Sequence, residues 1–223
     1  ITQAKLSQFS SQILSQIILS FRPLKFCDSI YICAFILKYF MCAERTLPKF
    51  DASSVKITKE EGFILYEDMV LGRLFEDKCA EMYYRGKMFG FVHLYNGQEA
   101  VSSGIIKALR TKGDYVSSTY RDHVHALSAG VPAKEVMAEL FGKETGCSKG
   151  RGGSMHLQWK EAGALGTNAI VGGGVPLGAG NAWAQQHSGT SDLTVSYFGD
   201  GAVNIGSVLE TMNLTAAWDV PLV

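Results

Sequence analysis

The sequence has no excess of charge, no paired-cysteine motif and no long unbroken apolar run, and each absence removes a class of function. Lys and Arg number 21 and Asp and Glu number 21, so the formal charge is zero and no basic surface for nucleic acid is written. The five cysteines, Cys27, Cys33, Cys42, Cys79 and Cys147, are scattered without C-x-x-C spacing. They read as reduced thiols in a reducing compartment, and no structural zinc site is spelled. The apolar stretch 30–42 is short and broken by Lys38, which is too little for a membrane span. No G-x-x-x-x-G-K-[ST] loop occurs, and none of the five histidines has a partner at the i, i+4 spacing of a helical zinc pair.

What is present suits an α/β protein with many tight turns: 47% apolar residues and 24 glycines in 223. Residues 1–43 are serine-rich and carry Lys5, Arg22, Lys25 and Lys38 against Asp28 alone. They read as a leader outside the fold, either an organelle transit peptide or sequence upstream of a natural start at Met41. Residues 44–223 form the folded part. An extended arm over 44–57 precedes Thr58-Lys-Glu-Glu61, a capping box. Phe63, Tyr66, Val70 and Leu74 follow at helical spacing, predicting one long amphipathic helix to about Tyr84. Helices over 97–109 and 133–141, a short buried strand at 115–118, a helix ending near His187 and a strand at 193–198 complete the pattern. Helices alternating with short apolar strands predict a mostly parallel sheet covered on both faces.

Chemistry concentrates at the ends of these strands. Gly199-Asp200-Gly201 follows the last strand and precedes a helix read over 202–218, with a further strand opening at 219–223. An aspartate there suits Mg²⁺ bridging phosphate oxygens, because Mg²⁺ takes hard carboxylate ligands and a helix N-terminus favours anions. His123 and His125 stand beside Tyr120, Arg121 and Asp122, where open α/β sheets keep their ligands. His93 lies in an aromatic, glycine-punctuated loop, and His156 closes a loop too rich in glycine to order without a partner surface or ligand. Gly146-Cys-Ser148-Lys-Gly150 matches the serine-hydrolase elbow in letters only, since a helix and not a strand precedes it.

Five segments, in order, carry a family resemblance: Phe89-Gly-Phe-Val-His93-Leu-Tyr-Asn-Gly-Gln98-Glu99, Ser118-Thr-Tyr120-Arg121-Asp-His123, Gly150-Arg-Gly-Gly-Ser-Met-His156, Val175-Pro-Leu-Gly-Ala-Gly180 and Gly199-Asp-Gly201. Over about residues 44–223 the chain resembles the E1 α subunits of 2-oxo acid dehydrogenase complexes, in the bacterial and plastid pyruvate dehydrogenase branch. The resemblance implies a thiamine-diphosphate-binding fold, incomplete at its C-terminus, with thiamine diphosphate and Mg²⁺ as cofactors. It implies decarboxylation of pyruvate and acyl transfer to the lipoyl arm of an E2 partner. It further implies an α2β2 heterotetramer with an E1 β subunit that supplies the glutamate activating the cofactor's pyrimidine. No nucleic-acid or membrane partner is implied. The compartment is the cytoplasm in a bacterium, and otherwise the plastid stroma or mitochondrial matrix.

Carried over by position, Asp200 is the Mg²⁺ ligand, and Gly201 and Ala202 give backbone contacts to the diphosphate. Tyr120 and Arg121 contact the cofactor. Val171, with Ala169 beside it, props the cofactor's two rings in a bent conformation. His93 faces substrate, and His123 is a second active-site histidine. This chain has Asn168-Ala-Ile-Val171 where relatives commonly carry Asn-Gly-Ile-Val, a change that a backbone contact survives unless φ is positive. The family's Asn pair lies beyond Val223, so this chain alone is expected to be inactive. The alternatives are an acetoin or branched-chain 2-oxo acid enzyme, or a noncatalytic subunit that presents the helix at 58–84 to a β partner.

Overall fold

The computed structural model describes residues 57–109 and 112–223. The leader assigned to 1–43 and nearly all of the arm at 44–57 lie outside the described residues. Helix α1 spans Lys59–Tyr84. Its capping box forms as spelled, with Thr58 Oγ1 accepting from the Glu61 amide at 3.1 Å and the Glu61 carboxylate accepting from the Thr58 amide at 2.9 Å.

The apolar stripe read on α1 does not face the interior. Phe63, Tyr66 and Leu74 are 60, 63 and 62% exposed. The buried side is Asp68, Gly72, Phe75, Glu76 and Cys79. Residues two apart lie about 200° apart around a helix, so both sets have helical spacing, and tertiary partners decide between them. Asp68 pairs with Lys107 at 2.7 Å and accepts from Ser128 Oγ at 2.6 Å. Gly72 lets the helix come close, since a Cβ there would lie 2.7 Å from Val124 Cγ1. Partnered polar groups and close backbone approach outweigh a slightly more apolar opposite face.

Helix α2, Glu99–Ile106, is shorter than the 97–109 expected and is anchored by Arg73, whose Nε lies 2.6 Å from Glu99. Strand β1, Tyr115–Thr119, leads into helix α3, His123–Ala129, which the sequence reading did not assign. Helix α4, Ala133–Leu140, takes Pro132 as its N-cap, and Gly142 follows with φ +66°. Strand β2, Ala164–Asn168, also went unassigned, and helix α5 covers Gly174–His187. Strand β3 is only Thr194–Ser196; a 3-10 turn, Asp200–Asn204, then precedes helix α6, Gly206–Trp218. The single helix read over 202–218 is therefore a 3-10 turn followed by an α-helix, broken at extended Ile205.

The described strands form one parallel sheet in the order β2-β1-β3. Leu222 adds a parallel bridge outside β3, where the sequence reading placed a new strand. Adjacent side chains on β1 show how the sheet is covered. Ser117 Oγ donates to Gly174 O at 2.9 Å, while Ser118 Oγ meets the His125 ring. Successive residues of a strand point to opposite faces, so α5 and α3 cover opposite sides. Phe75, Leu127, Val136, Leu140 and Leu157 form the main core on the α3 side, and Val175, Ala202 and Val208 form a smaller one beside α5. Among the described residues no helix is long and apolar enough to cross a membrane.

Candidate cofactor site

Three segments singled out in the sequence leave the same edge of the sheet. Tyr120 and Arg121 follow β1, Ala169 and Val171 follow β2, and Asp200 follows β3. The strands are parallel and paired in register, Thr119 with Asn168 and Ser117 with Ser196, so all three segments emerge at the carboxyl end. That end, at a change of strand order, is where open α/β sheets bind ligands. The turn after β2 reaches the segment after β3, because a Cβ on Gly172 would lie 3.1 Å from Val208 and 3.4 Å from Ile205.

Around Asp200 the geometry separates the two backbone positions. Asp200 and Gly201 are exposed, whereas Ala202 is buried and its amide donates to Gly199 O at 3.0 Å. Gly201 is thus exposed, while the Ala202 amide is already engaged within the turn. Val171 is 46% exposed beside exposed Ile170, an apolar ledge held by an Asx turn from the Ile170 amide to Asn168 Oδ1 at 2.8 Å. Ala169 is absent from the residues with positive φ, so alanine replaces glycine without backbone strain. An exposed aspartate, a glycine, a guanidinium and an apolar ledge on one edge are a donor set that fits a metal-bound diphosphate carrying an apolar ring system.

His93 packs edge-on to Tyr120, with ring centroids 4.7 Å apart. Arg121 Nη1 donates to Leu94 O at 2.6 Å, tying the His93 loop to the strand end. Burial, and then the positive charges of Arg121 and His123, hold the His93 imidazole below its usual range, so it is neutral near pH 7.

His123 sits differently from what a substrate-facing histidine requires. It is fully buried, with Nδ1 2.9 Å from Glu76 Oε2 and Nε2 2.8 Å from Ser154 Oγ. Burial opposes its charge, yet hydrogen bonds to Cys79 and Glu76 and the carboxylates of Glu76 and Asp122 raise it well above the ordinary imidazole range. Asp122 is fully buried with neither carboxylate oxygen hydrogen-bonded, and burial pushes it up to about 7 against the pull of His123. His125 is also buried. It bonds Tyr95 Oη at 2.8 Å and stacks on Tyr197 at 4.1 Å, and burial pushes it down to about 3. Glu76, Cys79 and His123 place three potential metal-ligand atoms within 4.8 Å of one another, a juxtaposition that no sequence spacing announced.

Glu139 was likewise not visible as a functional residue. It is fully buried, and its two carboxylate oxygens accept from the amides of Ser148, Gly150, Gly152 and Gly153 at 2.7–3.1 Å. The glycine-rich loop is ordered by this carboxylate from within the chain. Its closing His156 is exposed. Ser148, the hydrolase-like serine, donates to His156 O at 2.8 Å and accepts from the Gln158 amide at 3.1 Å, so backbone groups occupy its hydroxyl. A serine nucleophile needs a histidine or other base in that place.

The described residues define an open α/β protein whose candidate site lies at the carboxyl end of its parallel strands. A family profile, dehydrogenase E1 component, matches residues 67–223. The chain belongs to this family, which is one of thiamine-diphosphate-dependent enzymes. It is 58% identical over 177 residues to pyruvate dehydrogenase E1 component subunit alpha-3, chloroplastic, of Arabidopsis thaliana, covering 77% of this chain and 41% of that protein. It is 53% identical over 184 residues to the pyruvate dehydrogenase E1 component subunit alpha of Porphyra purpurea, covering 79% and 53%. The Rickettsia felis protein of the same name is 48% identical over 168 residues, covering 75% and 51%. The chain thus spans about half the length of these curated relatives or less.

Proposed function

We propose that this chain is the cofactor-holding part of a pyruvate dehydrogenase E1 α subunit, serving oxidative decarboxylation of pyruvate and transfer of the acyl group to the lipoyl arm of an E2 partner. The observation that supports it most is the convergence of Tyr120-Arg121, Ala169–Val171 and Asp200-Gly201 on one sheet edge. Thiamine diphosphate, when bound, supplies a carbon nucleophile and an electron sink for loss of CO₂.

The chain's own residues bind and orient. Asp200 would hold Mg²⁺, and the Gly201 backbone would contact the diphosphate. Tyr120 and Arg121 contact the cofactor at the end of β1, where the planar guanidinium offers a forked donor that lysine lacks. Val171, with Ala169 beside it, props the rings. His93, neutral near pH 7, hydrogen-bonds the substrate and the negative charge that develops on its oxygens. His123 is fully buried and takes no part in this contact with substrate. A β subunit completes the α2β2 site, and the plastid-type relatives support a plastid stroma.

The test is the complete subunit co-expressed with its β partner, assayed for reduction of an artificial electron acceptor with pyruvate, 2-oxoisovalerate and acetoin. Turnover dependent on thiamine diphosphate, with kcat/KM for pyruvate about ten-fold or more above the others, supports the reading; ten-fold is about 1.4 kcal/mol of transition-state preference. Cofactor-independent turnover, or preference for the branched acid or acetoin, counts against it.

A further inference from the structure

Two loops flank the cofactor edge without belonging to a regular element: residues 92–98, which carry His93, and residues 150–156. Both end on the same buried pair. Glu76 Oε1 accepts from the Tyr95 amide at 3.1 Å, and Glu76 Oε2 accepts from His123 Nδ1 at 2.9 Å. His123 Nε2 meets Ser154 Oγ at 2.8 Å and Ser154 O at 3.2 Å. One carboxylate and one ring therefore join the two loops through side chains with no solvent exposure.

We propose that His123 is a positioning residue, a buried imidazole held at both ring nitrogens that, with Glu76, clamps the His93 loop and the 150–156 loop to α1, and that it does not meet substrate itself. Glu76 Oε2 and Ser154 O can only accept, so the ring's two N–H groups match both neighbours when both are protonated. The groups facing the ring agree with that state. They are Glu76 and Cys79 from α1, Asp122 with Oδ1 3.9 Å from Nε2, and Ser154 from the loop; the Phe75 ring closes the remaining side at 6.2 Å. A fixed positive charge here also disfavours protonation of His93, which keeps that ring in the form able to both donate and accept.

The proposal rests on the α-subunit reading for the assembly and the kinetic test, and on the described geometry alone for the clamp. Glu76→Gln and His123→Gln, each placed in the intact α–β assembly, are read in two ways. Amide hydrogen exchange in the absence of cofactor should accelerate at residues 92–98 and 150–156 in both variants while α5 and α6 keep wild-type rates. In turnover, Glu76→Gln should lower kcat by about ten-fold, but add little to the loss caused by His93→Gln, because it acts through that residue. Unchanged exchange at both loops overturns the clamp. Losses that add fully with His93→Gln overturn action through His93. If pyruvate turnover is absent altogether, the α-subunit reading fails, while the exchange measurement still decides the clamp. Should Glu76→Gln not assemble, His123→Gln carries both readouts.

Discussion

Glu139 Oε1 lies 2.7 Å from the amide of Gly152, and the same carboxylate gathers three further amides between Ser148 and Gly153. The loop's many glycines therefore serve a nest around an internal anion. A Cβ on Gly152 would fall 1.9 Å from His156 O, so the backbone can wrap only where no side chain intervenes.

This contact predicts a large stability loss for small changes. Glu139→Ala leaves four part-buried amides without their acceptor, and a hydrogen bond to a charged group contributes about 1.5–3 kcal/mol. Glu139→Gln retains shape but keeps only one accepting oxygen, so it should lose less. Urea midpoints at matched m-values rank the two variants. A shift for Glu139→Ala below about 1 kcal/mol, no more than one ordinary hydrogen bond, contradicts the nest.

Asp122 gives a pH prediction. Its folded value of about 7 lies above the ordinary 3.8, so the folded chain holds a proton that the unfolded chain has released. Stability from this group is present below about 4 and is lost as pH rises toward 7. His123, also raised, contributes below its unfolded value and loses its contribution only as pH passes its own higher folded value. Asp122→Asn should flatten the fall in stability between pH 4 and 7 relative to the parent chain. Denaturant unfolding at pH 5 and pH 7.5 measures it, and an identical slope in both proteins refutes the assignment.

The outward stripe of α1 predicts a change in association without a change in fold. Leu74→Lys alters a residue 62% exposed, so the chain's own stability should move by no more than about 0.5 kcal/mol. If α1 presents this stripe to a β subunit, the variant lowers recovery of the α–β assembly in sedimentation. Full assembly at wild-type concentrations removes α1 from that interface.

Residues with local signatures were legible in the sequence. Thr58 and Glu61 spell their own cap, and β1 reads as a short buried strand. Tyr120-Arg121 and Asp200-Gly201 follow strands legible in the sequence, whereas Ala169–Val171 was reached only through the family resemblance, because the strand before it has no local signature. Illegible features depended on distant partners. β2, Ala-Leu-Gly-Thr-Asn, has weak strand propensity and exists through pairing with β1. α3 is seven residues long, too short for a helical period to show. The buried face of α1 is chosen by Lys107, Ser128 and His123, which lie 39, 60 and 47 residues from their α1 partners. Glu139 looked like an ordinary helix glutamate because its four amide partners come later in the chain.

The central claim is that the edge bearing Asp200 binds thiamine diphosphate through a metal ion. Titration calorimetry of thiamine diphosphate with Mg²⁺ into the intact α–β assembly, parent against Asp200→Ala, tests it most directly. The account predicts Mg²⁺-dependent binding that Asp200→Ala weakens by about ten-fold or more, at least 1.4 kcal/mol. Equal affinity in the two proteins, with assembly intact, would contradict it.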